Sequence, residues 1–365
     1  MLKHIFKTDH EFKFLCYDFS SSPADQKDLA VTKYVYNSKA CKPLFKYGFN
    51  IYILQSKDKL QGLKTEYHNK RFHVVTHAFE PVPFSSDDRP ESISRYFCDF
   101  ATSLNVGADL VKKLVNDESG AYNEVYSYWE IFMLLKEYMK TCGKFKMAKE
   151  CEMCQIALDI VGAWKNSAIN PANSQVDLFI GNNVLPSKDF VFNIDQETEV
   201  YQGLIDQIIE ATGVLRAGGT MILKLYYTNT SLTHQIIIIL STLFKEVYLY
   251  KPFTSRLCDA DRYLICIDLV GKVKSFPAIK IPRQKYLRGI ETDDKYRLSE
   301  ESFKRIDKNL TFSSSELTAQ QFMNINQIIN YITEKNYLGE KYQCYIKIQK
   351  KALEFWKKHF IMEYA

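Results

Sequence analysis

Apolar residues between Met221 and Asp268 fall into runs whose lengths predict strand, helix, strand and strand. A Gly-Gly turn at 218–219 leads into the first run, Met221 to Tyr227, which carries one lysine, Lys224. A helix-length apolar segment, Ser231 to Phe244, follows. Then come a β-rich run from Glu246 to Tyr250, a loop with Lys251, Pro252, Ser255 and Arg256, and a last run from Tyr263 to Asp268. Upstream, VDLFIGNN (176–183) predicts a strand that stops at two asparagines, and TEVYQGLIDQIIEATGVLRAGG predicts a helix with a glycine-rich exit. YSYWEIFMLLKEYMK (126–140) has apolar residues at helical spacing, and SISRYFCDFATSLN predicts a helix started by Ser92 or Ser94. DLVKKLVND predicts a short strand, and QIALDIVGAW another that ends near Asp159, after a lysine-rich linker, CGKFKMAKECEMC. Strands alternating with helices in this way imply an α/β fold, a Rossmann-like doubly wound sheet.

The flanks have a different character. Residues 1–85 predict a β-rich N-terminal region, since EFKFLCYDF, FNIYILQS and RFHVVTHAF are rich in aromatic and β-branched residues. PVPFSSDDRP breaks the pattern, which places the central α/β domain at 86–271. Residues 272–365 predict a basic, mainly helical extension. SSSELTAQQFMNINQIINYITEK carries a capping-box pattern, Ser313 with Glu316, and sets Phe322, Ile325, Ile329 and Ile332 on one face. GEKYQCYIKIQKKALEFWKKHF predicts an amphipathic helix with lysines 341, 347, 350, 351, 357 and 358.

Composition narrows the class. The chain has 365 residues, 46% hydrophobic and 25% charged, the balance of a folded protein with room for additions to one domain. A net charge of +5 permits a nucleic-acid partner without requiring one. The nine cysteines are irregularly spaced, and MLKHIFKTDHEFKF has no apolar core of leader length, so reduced thiols in a cytoplasmic setting are expected. The Cys151–Cys154 pair lacks a second pair at zinc spacing, and His73 and His77 have no ligand partners in the sequence, so no metal is expected. The longest apolar run, HQIIIILSTLF, is too short to cross a bilayer, so no membrane partner is expected.

Lys224 is the residue that most needs a reason, because a lysine inside an apolar strand is costly without a partner or a task. Ser119, Gly120 and Ala121 lie in a small-residue loop before a predicted helix, where a cofactor can approach the backbone. Asp159, at a predicted strand end, is placed either to hold a ribose or to cap a turn.

The series GGTMILKLY, an apolar helix, then FKEVYLYKPFTSRLCDADRYLIC resembles the C-terminal half of the FtsJ/RrmJ-like RNA 2′-O-ribose methyltransferases, closest to the viral cap-methylating branch. The resemblance implies S-adenosylmethionine as cofactor, capped mRNA as substrate and a Lys–Asp–Lys–Glu tetrad. It places Lys224 at the central lysine, Asp261 at the glutamate position and Asn182, at the end of VDLFIGN, at the aspartate position. Arg95 falls at the first lysine, with Asp99 as the competing alignment, and Ser119, Gly120 and Ala121 stand where a Pro-Gly-Gly loop stands in the family. Lys251, Ser255 and Arg256 are placed to hold RNA phosphates, and Ser255 alternatively to orient Asp261.

The departures have chemical content. Arg for Lys keeps the charge and changes the donor geometry. Asn for Asp removes a charge. Asp for Glu shortens the reach by about 1.5 Å. Two functions follow from the resemblance: a cap 2′-O-methyltransferase, or an inactive relative serving as an RNA-binding or scaffolding subunit of a viral capping or replication complex. The second extends the expected location to a viral factory or virion.

Overall fold

The computed structural model describes residues 12–39, 47–63, 123–139, 142–148, 154–155, 157–158, 168–169, 175–182, 197, 200–255, 257, 260–294, 297–335 and 339–360. Its centre is a seven-stranded mixed sheet. The strands are β1 (Leu15–Asp18), β2 (Leu29–Asn37), β3 (Lys144–Met147), β4 (Ala168–Ile169), β5 (Val176–Gly181), β6 (Leu215–Tyr226), β7 (Phe244–Lys251), β8 (Asp261–Leu269), β9 (Val273–Ser275) and β10 (Tyr286–Thr292). The helices are α1 (Tyr47–Gly62), α2 (Asn123–Leu134), α3 (Lys136–Met139), α4 (Tyr201–Val214), α5 (Ser231–Leu243), α6 (Glu300–Thr333) and α7 (Glu340–Phe360). The main sheet runs β1-β7-β8-β6-β5-β3-β4, and β10-β2-β9 form a separate three-stranded sheet. β4, β3, β5 and β6 are parallel, whereas β8 is antiparallel to both β6 and β7.

Both faces of the sheet are covered, as the near-continuous apolar runs of β5, β6 and β8 require. Ile222, Tyr263 and Ile265 pack with Trp129 and Phe132 of α2 and Trp356 of α7. Met221, Leu223 and Leu264 pack on the other face with Leu204 and Ile208 of α4 and Ile236 and Leu240 of α5. The Gly-Gly turn lies inside β6. Gly218 has φ +79°, and a Cβ on Gly219 would stand 2.9 Å from the Arg216 carbonyl oxygen. The pairing of β5 with β6 slips at this point, a bulge that only glycines accommodate. Helix α5 starts at Thr230, whose hydroxyl accepts from the Thr233 amide at 3.3 Å.

The predicted elements from β5 to β8 are present, but α4 ends at Val214 and β6 begins at Leu215, so LRAGG, read as the exit of the helix, is strand. The helix predicted at 126–140 is α2 with α3, and the amphipathic C-terminal helix is α7. Helix α7 buries Ala352, Phe355, Trp356 and Phe360, and Phe355 meets Phe14 and Phe253 at ring distances of 5.0 and 5.4 Å. Lys341, Lys347, Lys351 and Lys358 of α7 are exposed.

Three expectations are corrected. FNIYILQS, read as a strand on its aromatic and β-branched content, lies in α1, where Ile53 packs on Ile325 and Ile329 of α6. Tertiary contact overrides so weak a local preference. QIALDIVGAW, read as a strand, is helical at 154–155 and 157–158, and the strand is instead KFKM in the supposed linker. Phe145 and Met147 point inward there, while Lys144 is exposed and Lys146 is half-buried, a two-residue alternation too short to stand out among the lysines. The capping box at Ser313 is not a cap. Helix α6 begins after Ser299, whose hydroxyl accepts from the Ser302 amide, and Ser313 is buried mid-helix, donating to the Leu310 carbonyl at 3.0 Å. Glu316 instead accepts from Lys13 and from the Tyr17 hydroxyl. The elements expected at RFHVVTHAF, SISRYFCDFATSLN and DLVKKLVND, and His73 and His77, lie outside the described residues.

A buried carboxylate, Asp25, ties the N-terminal region to the start of α6. Asp25 accepts from the hydroxyls of Ser22, Ser299 and Ser302 and from the Ser299 amide. Burial alone would raise the Asp25 carboxyl, but these bonds hold it well below the usual carboxylate range. A lowered folded-state value means stability that is present above the unfolded value and lost as pH falls through the folded one. Asp25→Ala is expected to cost about 2–4 kcal/mol near neutral pH. In urea unfolding at pH 7 and pH 3, the gap between wild type and Asp25→Asn should narrow at the lower pH. An unchanged gap would show that the charge contributes nothing.

Candidate functional site

The topology directs attention to one edge. β3 and β4 extend from the centre in one direction, β5 and β6 in the other, so the chain order reverses between β3 and β5. Crevices for ligands in doubly wound sheets open at the carboxyl ends of strands on either side of such a reversal. Here those ends are Ala148, whose amide donates to the Ile180 carbonyl at 3.0 Å, and Asn182. The segment that leaves β3 toward this crevice continues beyond Ala148 outside the described residues.

Lys224 lies two residues from the carboxyl end of β6. In the β6–β8 ladder Lys224 faces Tyr263, and Tyr226 faces Asp261. Directly opposed residues share a sheet face, so Lys224 and Asp261 are diagonal neighbours on one face, that of Ile222 and Ile265. Asn182 follows the Gly181–Leu223 pair and continues the face of Leu178 and Ile180. The sheet therefore brings Lys224, Asp261 and Asn182 to one edge, as the sequence resemblance implied.

Lys224 is buried, and its ammonium is bonded to the Glu124 carboxylate in the first turn of α2. It also lies 5.4 Å from the centre of the Tyr226 ring. Glu124 is 34% exposed, so the pair sits where the buried edge meets solvent. Sequence reading missed Glu124, because the pairing joins residues a hundred positions apart.

Asp261 is held by a different lysine. It accepts from Lys251 Nζ at 3.1 Å and from Ser255 Oγ at 2.8 Å. Lys251 is buried and also reaches Ser255 Oγ at 2.7 Å and the Asp261 carbonyl at 3.0 Å. Burial pushes the Asp261 carboxyl up, but the charges of Lys251 and Lys224 and the Ser255 bond bring it below its ordinary value. Lys251 and Ser255, read from the sequence as phosphate contacts, thus spend these polar groups on Asp261. That is the alternative the sequence offered for Ser255. Among the described residues the edge holds two amines, Lys224 and Lys251, against two carboxylates, Glu124 and Asp261.

A second missed residue supports this edge from within. Glu130 of α2 is fully buried and accepts from Tyr250 Oη at 2.6 Å, the Phe253 amide at 2.7 Å, the Thr254 amide at 2.8 Å and Trp356 Nε1 at 3.0 Å. It joins α2, α7 and the loop that carries Ser255. Burial raises its carboxyl above the usual range against the pull of these donors. The signal was present in the sequence, a lone glutamate in the apolar run of α2, but nothing there named its partners.

The strand ends under strain. Tyr227 has φ +60°, a left-handed conformation unusual for a bulky residue, just where the chain leaves β6 for α5. Its hydroxyl is bonded to Lys57 of α1 at 2.9 Å, and the Arg262 guanidinium lies 5.9 Å from its ring centre. Such strain persists where surrounding contacts hold it, here a buried lysine and a buried arginine.

Arg95, its competitor Asp99, Ser119, Gly120, Ala121, Asp159 and Arg256 lie outside the described residues. Among the described residues no group of three or more His, Cys, Asp or Glu side chains is arranged to hold a metal. No helix among them is long and apolar enough to cross a membrane.

No family model matches the chain. It is 25% identical over 329 residues to an uncharacterised protein of Acanthamoeba polyphaga mimivirus, covering 89% of this chain and 83% of that one. It is 34% identical over 85 residues to the cap-specific mRNA (nucleoside-2′-O-)-methyltransferase 1 of Leishmania braziliensis, covering 23% of this chain and 21% of that protein. The match therefore spans about a fifth of the cap-specific relative. A crystal structure of a putative ribosomal RNA methyltransferase from Plasmodium falciparum aligns with 40% of this chain and 98% of that one, at 18% identity and a TM-score of 0.29, too loose a superposition to assign residues. The chain is thus similar over 85 residues to a cap-specific mRNA 2′-O-methyltransferase and over most of its length to a mimivirus protein.

Proposed function

We propose that the chain is an S-adenosylmethionine-dependent RNA 2′-O-ribose methyltransferase acting on a cap-proximal ribose. The observation that carries this reading is the buried Lys224 ammonium at the carboxyl edge of β6, beside Asp261 and Asn182. The edge suits a sulfonium-bearing cofactor in charge, since its carboxylates match its amines and a cation is not repelled. Bound S-adenosylmethionine would supply an electrophilic methyl group. Transfer of that methyl group from sulfur to the ribose 2′-oxygen would require the 2′-hydroxyl to give up its proton. Lys224 is the group that orients this hydroxyl and, in its neutral form, receives the proton. Glu124 holds Lys224 in place and favours its charged form. Asp261, fixed by Lys251 and Ser255, adds a fixed negative charge beside it. Exposed lysines on α7 offer phosphate contacts for an RNA strand.

Removing the negative charge beside Lys224 should make proton acceptance possible at lower pH. Glu124→Gln is expected to move the alkaline-rising limb of the rate profile to lower pH. A limb that stays in place would show that Glu124 does not govern this proton.

A second reading has its own support. Asn182 stands uncharged where the family carries an aspartate, and Lys224 already spends its ammonium on Glu124. These features favour an inactive subunit that binds RNA within a capping or replication complex. The test is to titrate S-adenosylmethionine calorimetrically and then assay methyl transfer to capped RNA. Cofactor binding with transfer that Lys224→Ala removes supports the enzyme. RNA binding that falls steeply with salt, without cofactor binding at millimolar ligand, supports the inactive subunit.

A further inference from the structure

A cavity of about 710 Å³ lies on the sheet face opposite Lys224, between α5, the first turns of α6 and strand β10. Its volume is that of a small-molecule site. Ile238 and Ile239 of α5, Ile290 of β10 and Leu298 form apolar walls. Phe303 stands at the rim, 45% exposed, an unusual position for a phenylalanine in a helix that buries most of its other apolar residues.

The polar groups in the cavity are unbalanced. Four charged residues line it: Glu291, Arg297, Glu300 and Asp307. Arg297 is already paired with Asp294, and Glu300 with Lys304. Asp307 has no lysine or arginine partner among the described residues, whereas Glu291 stands directly opposite Lys33 in the β10–β2 ladder. Asp307 faces His234, with Oδ1 3.6 Å from Nδ1, beyond hydrogen-bonding distance. His234 is 3% exposed, lines the cavity, and has no hydrogen-bond partner for Nδ1 among the described residues. A buried polar atom left in this state is costly unless a ligand completes it. Burial keeps the imidazole below its ordinary range against the pull of Asp307, so at neutral pH the histidine does not cancel that carboxylate.

We propose that this cavity binds an organic amine, a cation with an apolar body, whose ammonium lies against Asp307 and the Phe303 ring. The apolar walls take the body of the ligand, and the aromatic rim adds a cation–π contact. His234 Nδ1 then receives a polar partner from the ligand or from a water it orders. The site is separate from the Lys224 edge and does not depend on the methyltransferase reading.

The test uses the full chain and three probes: phenethylamine, its neutral isostere 2-phenylethanol, and spermidine. Calorimetry or ligand-observed NMR gives the affinities, and Asp307→Asn and Phe303→Ala supply the controls in side chains exposed enough to change without unfolding. Phenethylamine is expected to bind about tenfold or more tighter than 2-phenylethanol, and Asp307→Asn to remove most of that difference. Phe303→Ala should weaken both aryl probes, and Lys224→Ala should change none of them. Spermidine tighter than phenethylamine identifies a polyamine site, and the reverse order an aromatic amine site. Equal binding of amine and alcohol, no binding of either amine at about 10 mM, or binding indifferent to Asp307→Asn overturns the proposal.

Discussion

Lys224→Ala is expected to lower methyl transfer to capped RNA by about 10²- to 10⁴-fold, the range set by loss of a positioned proton acceptor. The fold should survive. Lys224 is a single side chain in a strand whose other residues pack on both faces, and the carboxylate it leaves behind, Glu124, is partly exposed and can be solvated. The charge left on Glu124 therefore costs far less than an unpaired charge in a closed interior. Two measurements separate chemistry from folding: the thermal unfolding midpoint of the variant, and its affinity for S-adenosylmethionine. Loss of transfer with both retained assigns Lys224 to the reaction. Transfer at the wild-type rate in the variant would end the enzyme reading built on this residue. Lys224→Arg is a sharper companion, because it keeps the charge and the pairing with Glu124 but cannot become neutral in the working range. It should be as inactive as the alanine variant.

Glu130→Ala is expected to destabilise the fold strongly, by about 4 kcal/mol or more. The alanine would leave four buried donors, from Tyr250, Phe253, Thr254 and Trp356, without their acceptor. Each such group costs about 1–3 kcal/mol, offset in part by the gain from no longer burying a carboxyl. Glu130→Gln keeps one oxygen and adds a donor where donors already converge, so it should fall between wild type and alanine. Because the amides of Phe253 and Thr254 begin the loop that ends in Ser255, loosening them also frees Asp261. Urea midpoints measure the first effect. Hydrogen exchange at the amides of 253–255 measures the second. A midpoint within about 1 kcal/mol of wild type would show that the knot is dispensable.

Much of the site edge was legible before any coordinates. Lys224 stood out because a charge in an apolar strand is expensive, and Asp261 and Asn182 were placed beside it by the family resemblance. The strand pairing explains why that worked. Local runs set where β5, β6 and β8 begin and end, and side-chain alternation then fixes which residues share a face. The same reasoning failed for Lys251 and Ser255. A lysine and a serine in a loop look alike whether they face solvent or turn inward. Only the folded loop shows them closing on Asp261. The strand at KFKM was hidden for a related reason: half of its positions are lysines, and its inward residues, Phe145 and Met147, gain meaning only beside β5.

By itself, then, the amino-acid order determined the presence and order of the elements from β5 to β8, the burial of α5 and the amphipathic character of α7. These depend on neighbours within a few residues, where periodicity and turn chemistry act. Tertiary structure alone decided that FNIYILQS is helical, that Ser299 rather than Ser313 starts α6, and that Lys224 is held by Glu124 and Asp261 by Lys251. Those outcomes turn on which distant groups meet in a low-dielectric interior. There a charge must find a partner wherever the chain brings one, and no local pattern records the meeting.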